Sequence, residues 1–214
     1  MLENTDAIIF DLDGTLVDSM WMWKGIDIEF LKERGIDLPP TLQTEIEGMS
    51  LNETAVYFKN KFNLKESIEE LAEIWIGMAY EKYANVVPAK PGALDFLERV
   101  SRQGYKLGIA SSNSMELIHA ALSNHDLHKY FDCVVSANDV PRGKPYPDVF
   151  LEVARRLGVE PERCFVFEDL TMGIMAGHAA GMRVCCIDDD YSADDIENKK
   201  KHADYYIYSY DEVK

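Results

Sequence analysis

Residues 7–15, AIIFDLDGT, are the stretch that decides the fold of this 214-residue chain. The four apolar residues at its start predict a buried strand, because a run of this length is too short for a helix. Asp11 and Asp13 follow at the strand's exit, and residues two apart point to the same side of a strand. Gly14 then allows a sharp turn. Two carboxylates held this close and partly withdrawn from water favour a cation between them.

Three later segments repeat this pattern of an apolar strand that ends in polar residues. The run 107–110, LGIA, leads into Ser111 and Ser112. A strand near residue 135 leads through a loop to Lys144, and the run 164–167, CFVF, leads into Glu168 and Asp169. From about residue 88 onward, strands of this kind alternate with amphipathic helices. Such alternation predicts an α/β fold, a Rossmann-like parallel sheet with helices on both faces.

The polar strand ends also predict the order of the strands. The polar residues at the ends of the first, second and fourth strands must lie close together if they form one site. That is easiest when the fourth and second strands flank the first, which gives the order 5-4-1-2-3. Ligands of open α/β sheets bind at the carboxyl ends of the strands, where the strand order reverses. We therefore expect the functional site at that edge.

With these four segments the chain resembles the haloacid dehalogenase superfamily. Its signatures look like residues 11–15 (DLDGT), Ser111, Lys144 with Pro145, and Glu168-Asp169, in the order and with spacing similar to that of the family. Residues 18–84 hold helical stripes and no strand-like run, and the resemblance implies that this segment is the family's helical cap. We predict two domains: a core of residues 1–17 and 88–214, and a cap of residues 18–87.

The resemblance implies a two-step phosphoryl transfer. Asp11 is the predicted nucleophile, and Asp13 the predicted acid that protonates the leaving oxygen and then activates water. Mg²⁺ is the predicted cofactor, since oxygen-only ligands favour it over zinc. Its predicted ligands are Asp11, the Asp13 backbone carbonyl and Asp169, with Glu168 as a direct or water-mediated supporter.

The remaining predicted site residues bind the phosphate or shape the pocket. Lys144 supplies a compact positive charge for the transferring oxygens, and Ser111 a hydroxyl donor, with Ser112 beside it. Taken singly, Ser111 is also explained as a strand-end cap and Lys144 as a solvated loop lysine; it is their occurrence with both acidic pairs that favours the phosphate site. Trp23, Ser50 and Leu51 are the predicted substrate-specificity residues of the cap.

The predicted function is a Mg²⁺-dependent phosphatase acting on a small phosphorylated metabolite, such as a sugar phosphate, through an aspartyl-phosphate. The alternative is a β-phosphoglucomutase-like phosphotransferase. By motif register, that family's cap histidine and arginine correspond here to Trp23 and Leu51, neither of which can replace them; nearby Lys24 keeps the alternative open. A dehalogenase would lack Asp13, and a non-catalytic binding module would need no complete set of reactive groups.

Composition limits the other classes of partner and location. The net charge of −16 argues against nucleic acid, since phosphate contacts need clustered Lys and Arg. No apolar stretch is long enough for a membrane span. The chain starts almost directly with the first strand, and its four cysteines lie in apolar runs, so we expect a cytoplasmic protein, a monomer or weak oligomer. The acidic segment 188–195 is predicted to be a solvated loop.

Overall fold

A parallel sheet forms the centre of the protein, in a computed structural model that describes residues 1–214. Its strand order is β3-β2-β1-β4-β5-β6, so the predicted order 5-4-1-2-3 is confirmed and a sixth strand extends it beyond β5. The strands are β1 (Ala7–Phe10), β2 (Lys106–Ser111), β3 (Cys133–Ser136), β4 (Cys164–Glu168), β5 (Arg183–Ile187) and β6 (Tyr205–Ile207).

Nine α-helices accompany the sheet, and the first four lie within residues 18–87, the segment that follows β1. These four are α1 (Met20–Glu33), α2 (Leu42–Ile46), α3 (Leu51–Phe62) and α4 (Ile68–Asn85). The other five alternate with the strands: α5 (Ala93–Arg102), α6 (Met115–Asn124), α7 (Asp148–Leu157), α8 (Thr171–Ala179) and α9 (Ile196–His202). None of the helices combines the length and the apolar character that crossing a membrane requires.

The register of the central strands explains why the acidic residues meet. Phe10 at the end of β1 pairs with Ile109 of β2 on one side and with Phe167 of β4 on the other. The next residue, Asp11, donates its backbone N–H to the Phe167 carbonyl at 2.9 Å. Because the three strands are parallel and in step, Asp11 comes out of the sheet beside Glu168.

Alternating side chains of β1 enter two separate hydrophobic clusters. Ala7 and Ile9 pack on one face of the sheet, and Ile8 and Phe10 on the other. The Phe10 ring stacks on Phe167, with ring centroids 5.3 Å apart. Burial of apolar residues on both faces is what holds a parallel strand in place. It fixes the position at which Asp11 leaves the sheet.

The helical segment, residues 18–87, is itself packed around aromatic side chains. Phe30, Phe58 and Trp75 meet with ring centroids 5.0–6.1 Å apart. They belong to the same apolar cluster as Ile8 and Phe10 of the sheet. Helices α3 and α4 each begin with a capping box, in which a serine and a glutamate three residues later satisfy each other's backbone N–H. The division into a cap and a core domain stays a prediction.

A buried carboxylate lies inside this helical segment. Asp27 of α1 is 6 % exposed and accepts a hydrogen bond from Gln43 Nε2 at 2.7 Å. Burial raises its pKa to about 6, although the Gln43 contact opposes that rise. The folded protein therefore holds the Asp27 proton more tightly than the unfolded chain does. Stability is lost as the pH rises from about 4 through about 6, because the folded state must then bury a charge.

We expect Asp27→Asn to stabilise the protein, by an amount that grows between pH 5 and pH 8 to about 2–3 kcal/mol. The asparagine oxygen can still accept from Gln43, and no charge is buried. Urea unfolding at the two pH values measures the difference. Asp37→Asn, at an exposed position of the same segment, is the control and should change nothing. An Asp27→Asn gain that is equal at both pH values would contradict the burial argument.

Candidate active site

A buried lysine joins two carboxylates at the carboxyl edge of the sheet. Lys144 Nζ lies 2.6 Å from Asp11 Oδ1 and 2.6 Å from Glu168 Oε1. The three residues are 6 %, 5 % and 1 % exposed, respectively. They come from the ends of β1 and β4 and from the loop before α7, so the fold brings together groups up to 157 positions apart in the sequence. Three of the predicted site residues thus form one cluster.

Burial and charge shift the pKa values in this cluster. Burial raises the pKa of Asp11 to about 8, with Glu168 and Asp13 adding to the rise and Lys144 opposing it. Burial disfavours the charged form of Lys144, but the two carboxylates outweigh this and raise the pKa of the lysine. Lys144 therefore stays positively charged in the folded protein. A second positive charge would be needed to balance the remaining carboxylates.

Glu168 and Asp169 take different roles although they are adjacent. Glu168 Oε2 accepts the backbone N–H groups of Asp169 and Leu170 at 2.8 and 2.9 Å, so both of its oxygens are engaged. Asp169 Oδ1 accepts the Thr15 hydroxyl at 3.0 Å, whereas Oδ2 is buried without a hydrogen-bond partner. A buried carboxylate oxygen with no partner is costly unless something binds it.

The turn after β1 leaves room for this carboxylate only because residue 14 is glycine. Gly14 has φ +78°, and a Cβ on it would lie 2.1 Å from Asp169 Oδ2. No three His, Cys, Asp or Glu side chains form a preformed metal cluster. The unpartnered oxygen of Asp169 nevertheless fits a cation, and burial together with the neighbouring carboxylates raises its pKa well above the ordinary value. A bound cation would relieve that crowding.

Asp13 is held by hydrogen-bond donors from three parts of the chain. Oδ1 accepts the Ser19 hydroxyl at 2.6 Å and the Tyr83 hydroxyl, and Oδ2 accepts Asn113 Nδ2 at 3.2 Å. Tyr83 in turn accepts from Trp23 Nε1 at 2.9 Å and from Asn113 Nδ2 at 2.8 Å. Burial raises the pKa of Asp13, and its hydrogen bonds oppose that rise. Asp13 is thus placed to hold or release a proton.

Sequence reasoning did not identify Ser19, Tyr83 or Asn113 as contacts of Asp13. Asn113 stands directly after the quoted serines, so its position at a strand end was a usable signal. Tyr83 carries no such signal: it lies in the last turns of α4, in a helical stripe that reads as core packing. Its role depends on α4 meeting the end of β1 in space, which no local pattern shows.

Several of these groups line a cavity of about 630 Å³ between the sheet edge and the helical segment. Its volume is in the range of small-molecule sites. Of the predicted residues, Asp11, Asp13, Ser112, Lys144, Glu168, Trp23 and Leu51 line it. Ser111, Ser50 and Asp169 do not line it. Ser111 is fully buried and accepts the Asn113 backbone N–H at 3.1 Å, and Ser50 caps α3.

The helical segment contacts the sheet edge at the start of α3. The Leu51 N–H donates to the Ser112 carbonyl at 3.1 Å, and Glu53 Oε1 accepts the Gly143 N–H at 3.1 Å. Gly143 immediately precedes Lys144. The predicted specificity residues Ser50 and Leu51 therefore belong to a segment that lies directly against the loop that carries Lys144.

The prediction of a solvated loop at residues 188–195 holds for Asp190 and Asp194, which are exposed, but not for the segment as a whole. Asp189 is buried and pairs with Lys90 Nζ at 2.9 Å, while Lys199, fully buried, donates to Ser192 Oγ at 2.8 Å. These contacts hold the loop against the sheet edge, where Tyr191, Ser192, Asp194 and Asp195 line the cavity. The sequence around Asp189 does not show that this residue is buried, because its partner Lys90 lies far away along the chain.

A family profile described as "Haloacid dehalogenase-like hydrolase" matches residues 8–187, which include every residue of the Lys144 cluster. The chain belongs to the haloacid dehalogenase-like hydrolase family. This confirms the predicted family and its hydrolase class. The catalytic roles given to individual residues remain proposals.

Curated members of the haloacid dehalogenase-like family include similar phosphatases. Hexitol phosphatase B of Escherichia coli K12 is 32 % identical over 183 residues, covering 83 % of this chain and 81 % of that protein. Fructose-1-phosphate phosphatase YqaB of the same organism is 32 % identical over 191 residues, covering 85 % and 96 %. A crystal structure of β-phosphoglucomutase from Clostridium difficile is similar in fold, with a TM-score of 0.84 at 24 % identity and coverages of 98 % and 93 %.

We expect Lys144→Met to destabilise the protein by about 3–5 kcal/mol, because removing one partner leaves buried carboxylates unpaired. The loss should be smaller at pH 6 than at pH 9, because Asp11 takes up a proton as the pH falls through its pKa of about 8. Arg142→Met is the matched control: Arg142 lies two positions before Lys144, and its exposed side chain pairs with the half-buried Asp148, a contact worth about 0–1 kcal/mol. Urea unfolding of both variants measures the difference. If both variants lose an equal, small amount of unfolding free energy, Lys144 is an ordinary loop lysine and the argument from its buried ion pairs is contradicted.

Proposed function

We propose that this protein is a Mg²⁺-dependent phosphatase that hydrolyses a small phosphorylated metabolite through an aspartyl-phosphate on Asp11. The observation that carries the proposal is the placement of Lys144 between Asp11 and Glu168, with Asp13 on the same cavity wall. A fixed positive charge beside a carboxylate nucleophile serves phosphoryl transfer, because it balances the charge on the transferring oxygens.

Asp11 attacks phosphorus with a carboxylate oxygen, and the bond from phosphorus to the ester oxygen breaks. The departing oxygen takes its electron pair and receives the proton of Asp13. Asp13, now a carboxylate, accepts a proton from water as that water attacks the phosphorus of the acyl phosphate. Inorganic phosphate leaves, Asp11 is regenerated, and Asp13 is protonated again. The raised pKa of Asp13 suits a group that works as acid and then as base.

The residues that would hold the metal are Asp11, the backbone carbonyl of Asp13 and Asp169, whose Oδ2 has no other partner. Glu168 holds the Asp169 backbone N–H and Lys144, and so acts as their support. When bound, Mg²⁺ supplies positive charge that draws the phosphate into an acidic site. Lys144 and Ser112 face the cavity and are placed to contact phosphate oxygens. Ser111 does not face the cavity and would act indirectly, because its hydroxyl accepts the backbone N–H of Asn113.

The substrate class is proposed from the relatives and from the cavity. The relatives named above act, by their names, on hexitol and fructose phosphates, and a cavity of about 630 Å³ accommodates a phosphorylated sugar. Phosphatase activity is favoured over a mutase by the replacements noted above. Trp23 donates its indole N–H to Tyr83 and has no titratable group, and Leu51 carries no charge.

We expect Asp11→Asn to abolish turnover of an aryl phosphate in the presence of Mg²⁺, because an amide cannot attack phosphorus. Circular dichroism should show an unchanged fold. Acid-quenched wild type should yield a phosphorylated peptide that contains Asp11, and the variant should not. Asp126→Asn, at a surface position, is the control. Turnover within tenfold of wild type would contradict the role of Asp11.

We expect activity to disappear after chelation and to return with Mg²⁺ but not with Ca²⁺, which takes more ligands at longer distances and misplaces the reacting groups. Mg²⁺ should also raise the melting temperature of the wild type, and raise it less in Asp169→Asn. Full activity after exhaustive chelation, or an equal thermal shift in both proteins, would contradict the proposed metal ligands.

A further inference from the structure

The cavity wall outside the Lys144 cluster is unusually rich in acidic residues. Glu47, which follows α2, and Asp194 and Asp195, from the loop after β5, all line the same cavity as Asp11. Lys24 is the one lysine or arginine on the wall other than Lys144. Lys144 is already engaged by two carboxylates, so this part of the wall carries three acidic groups and one cation.

Contacts with the core hold two of these three side chains, Asp195 and Glu47, in place. Asp195 Oδ2 accepts the hydroxyl of Thr171, the first residue of α8. The carboxylate of Glu47 accepts the backbone N–H of Met172, and its pKa is raised by burial and by the charges of Asp195 and Glu168. The carboxylates of the helical segment, the loop and the sheet edge thus already repel one another. An anionic group bound among them would add to that repulsion.

A second feature of the same wall points to a ligand. Trp75 lines the cavity and is 2 % exposed, and its Nε1 is buried without a hydrogen-bond partner. An indole N–H is a donor only, so it needs an oxygen acceptor. Gln43, Thr44, Thr54, Tyr191 and Ser192 add further donors and acceptors to the wall. Hydroxyl groups, which both donate and accept, fit such a lining.

We propose that this wall selects phosphomonoesters whose remainder is uncharged and rich in hydroxyl groups, and rejects those with a carboxylate or a second phosphate. Glu47 and Asp194 are the specificity-determining residues that exclude anions. The inference rests on the proposed function, since it concerns the part of the substrate that is not transferred. A bisphosphate should therefore be a poor substrate. Its second phosphate would lie near the carboxylates of Glu47, Asp194 and Asp195, with only Lys24 to balance their charge.

Two open-chain substrates that differ at one carbon give the sharpest test. Glucitol 6-phosphate ends in a neutral hydroxymethyl group, and 6-phosphogluconate carries a carboxylate at the same position. We expect wild type to favour glucitol 6-phosphate by at least about tenfold in kcat/KM, the effect of about 1.4 kcal/mol of added charge repulsion. Fructose 1,6-bisphosphate against fructose 1-phosphate should show the same preference for the monophosphate.

The ratio to compare is kcat/KM for glucitol 6-phosphate divided by kcat/KM for 6-phosphogluconate. Glu47→Gln, Asp194→Asn and their combination should each lower this ratio at least about threefold, and the double variant should lower it most. Glutamine keeps an oxygen that can accept from Met172, so Glu47→Gln removes the charge and not the contact. Asp190→Asn is the matched control, because it makes the same charge change in the same loop at a residue that does not line the cavity. Its ratio should equal that of wild type.

The outcomes separate the two levels of the proposal. A wild-type ratio near one, or a ratio that neither variant changes, overturns the acidic-wall inference while leaving the phosphatase intact. A ratio that Asp190→Asn changes as much as Glu47→Gln also overturns it, because the effect is then one of net charge. Failure to hydrolyse any of these esters, or an aryl phosphate with Mg²⁺, overturns the proposed function and this inference together.

Discussion

Lys144 Nζ lies between carboxylate oxygens of Asp11 and Glu168, and the arrangement of the site depends on this buried ion pair. The lysine neutralises part of a charge that the sheet edge could not otherwise tolerate, because isolated carboxylates are costly to bury. It also links the ends of β1 and β4 to the loop before α7. The second oxygen of Glu168 accepts the backbone N–H groups of Asp169 and Leu170. By holding Glu168, the Lys144 ammonium group therefore also helps to fix the position of Asp169.

The same pair leaves the site incompletely neutralised, and this accounts for much of its chemistry. Four carboxylates, those of Asp11, Asp13, Glu168 and Asp169, surround a single lysine, and burial raises the pKa values of three of them. A phosphate dianion can enter such a place only with additional positive charge. The excess of negative charge at the sheet edge agrees with the overall acidity of the chain, and in the proposed mechanism a bound cation would supply the positive charge that a phosphate needs.

The sheet and the Lys144 cluster were predictable because the relevant signals are local. Apolar runs of four or five residues that end in Asp, Ser or Glu predict strands and place polar groups at one edge, and chain order then limits the topology. Tyr83 and the loop carrying Tyr191 were not predictable in this way. Their importance arises from contacts with residues far along the chain: Tyr83 contacts Asp13, and Asp189 of the loop pairs with Lys90. The local sequence around an acidic or aromatic residue does not show whether a distant residue contacts it in the folded protein.

The hydrogen bonds from Ser19 and Tyr83 to Asp13 have a consequence for how members of this family can diversify. Both donors belong to the helical segment, so that segment supplies part of the restraint on a carboxylate of the sheet edge. A recombination event that exchanged residues 18–87 as a unit would exchange the environment of Asp13 together with the substrate pocket. If Asp13 acts as the proposed acid, a new specificity brought in on a foreign helical segment would need donors that match Ser19 and Tyr83 before proton transfer could work again.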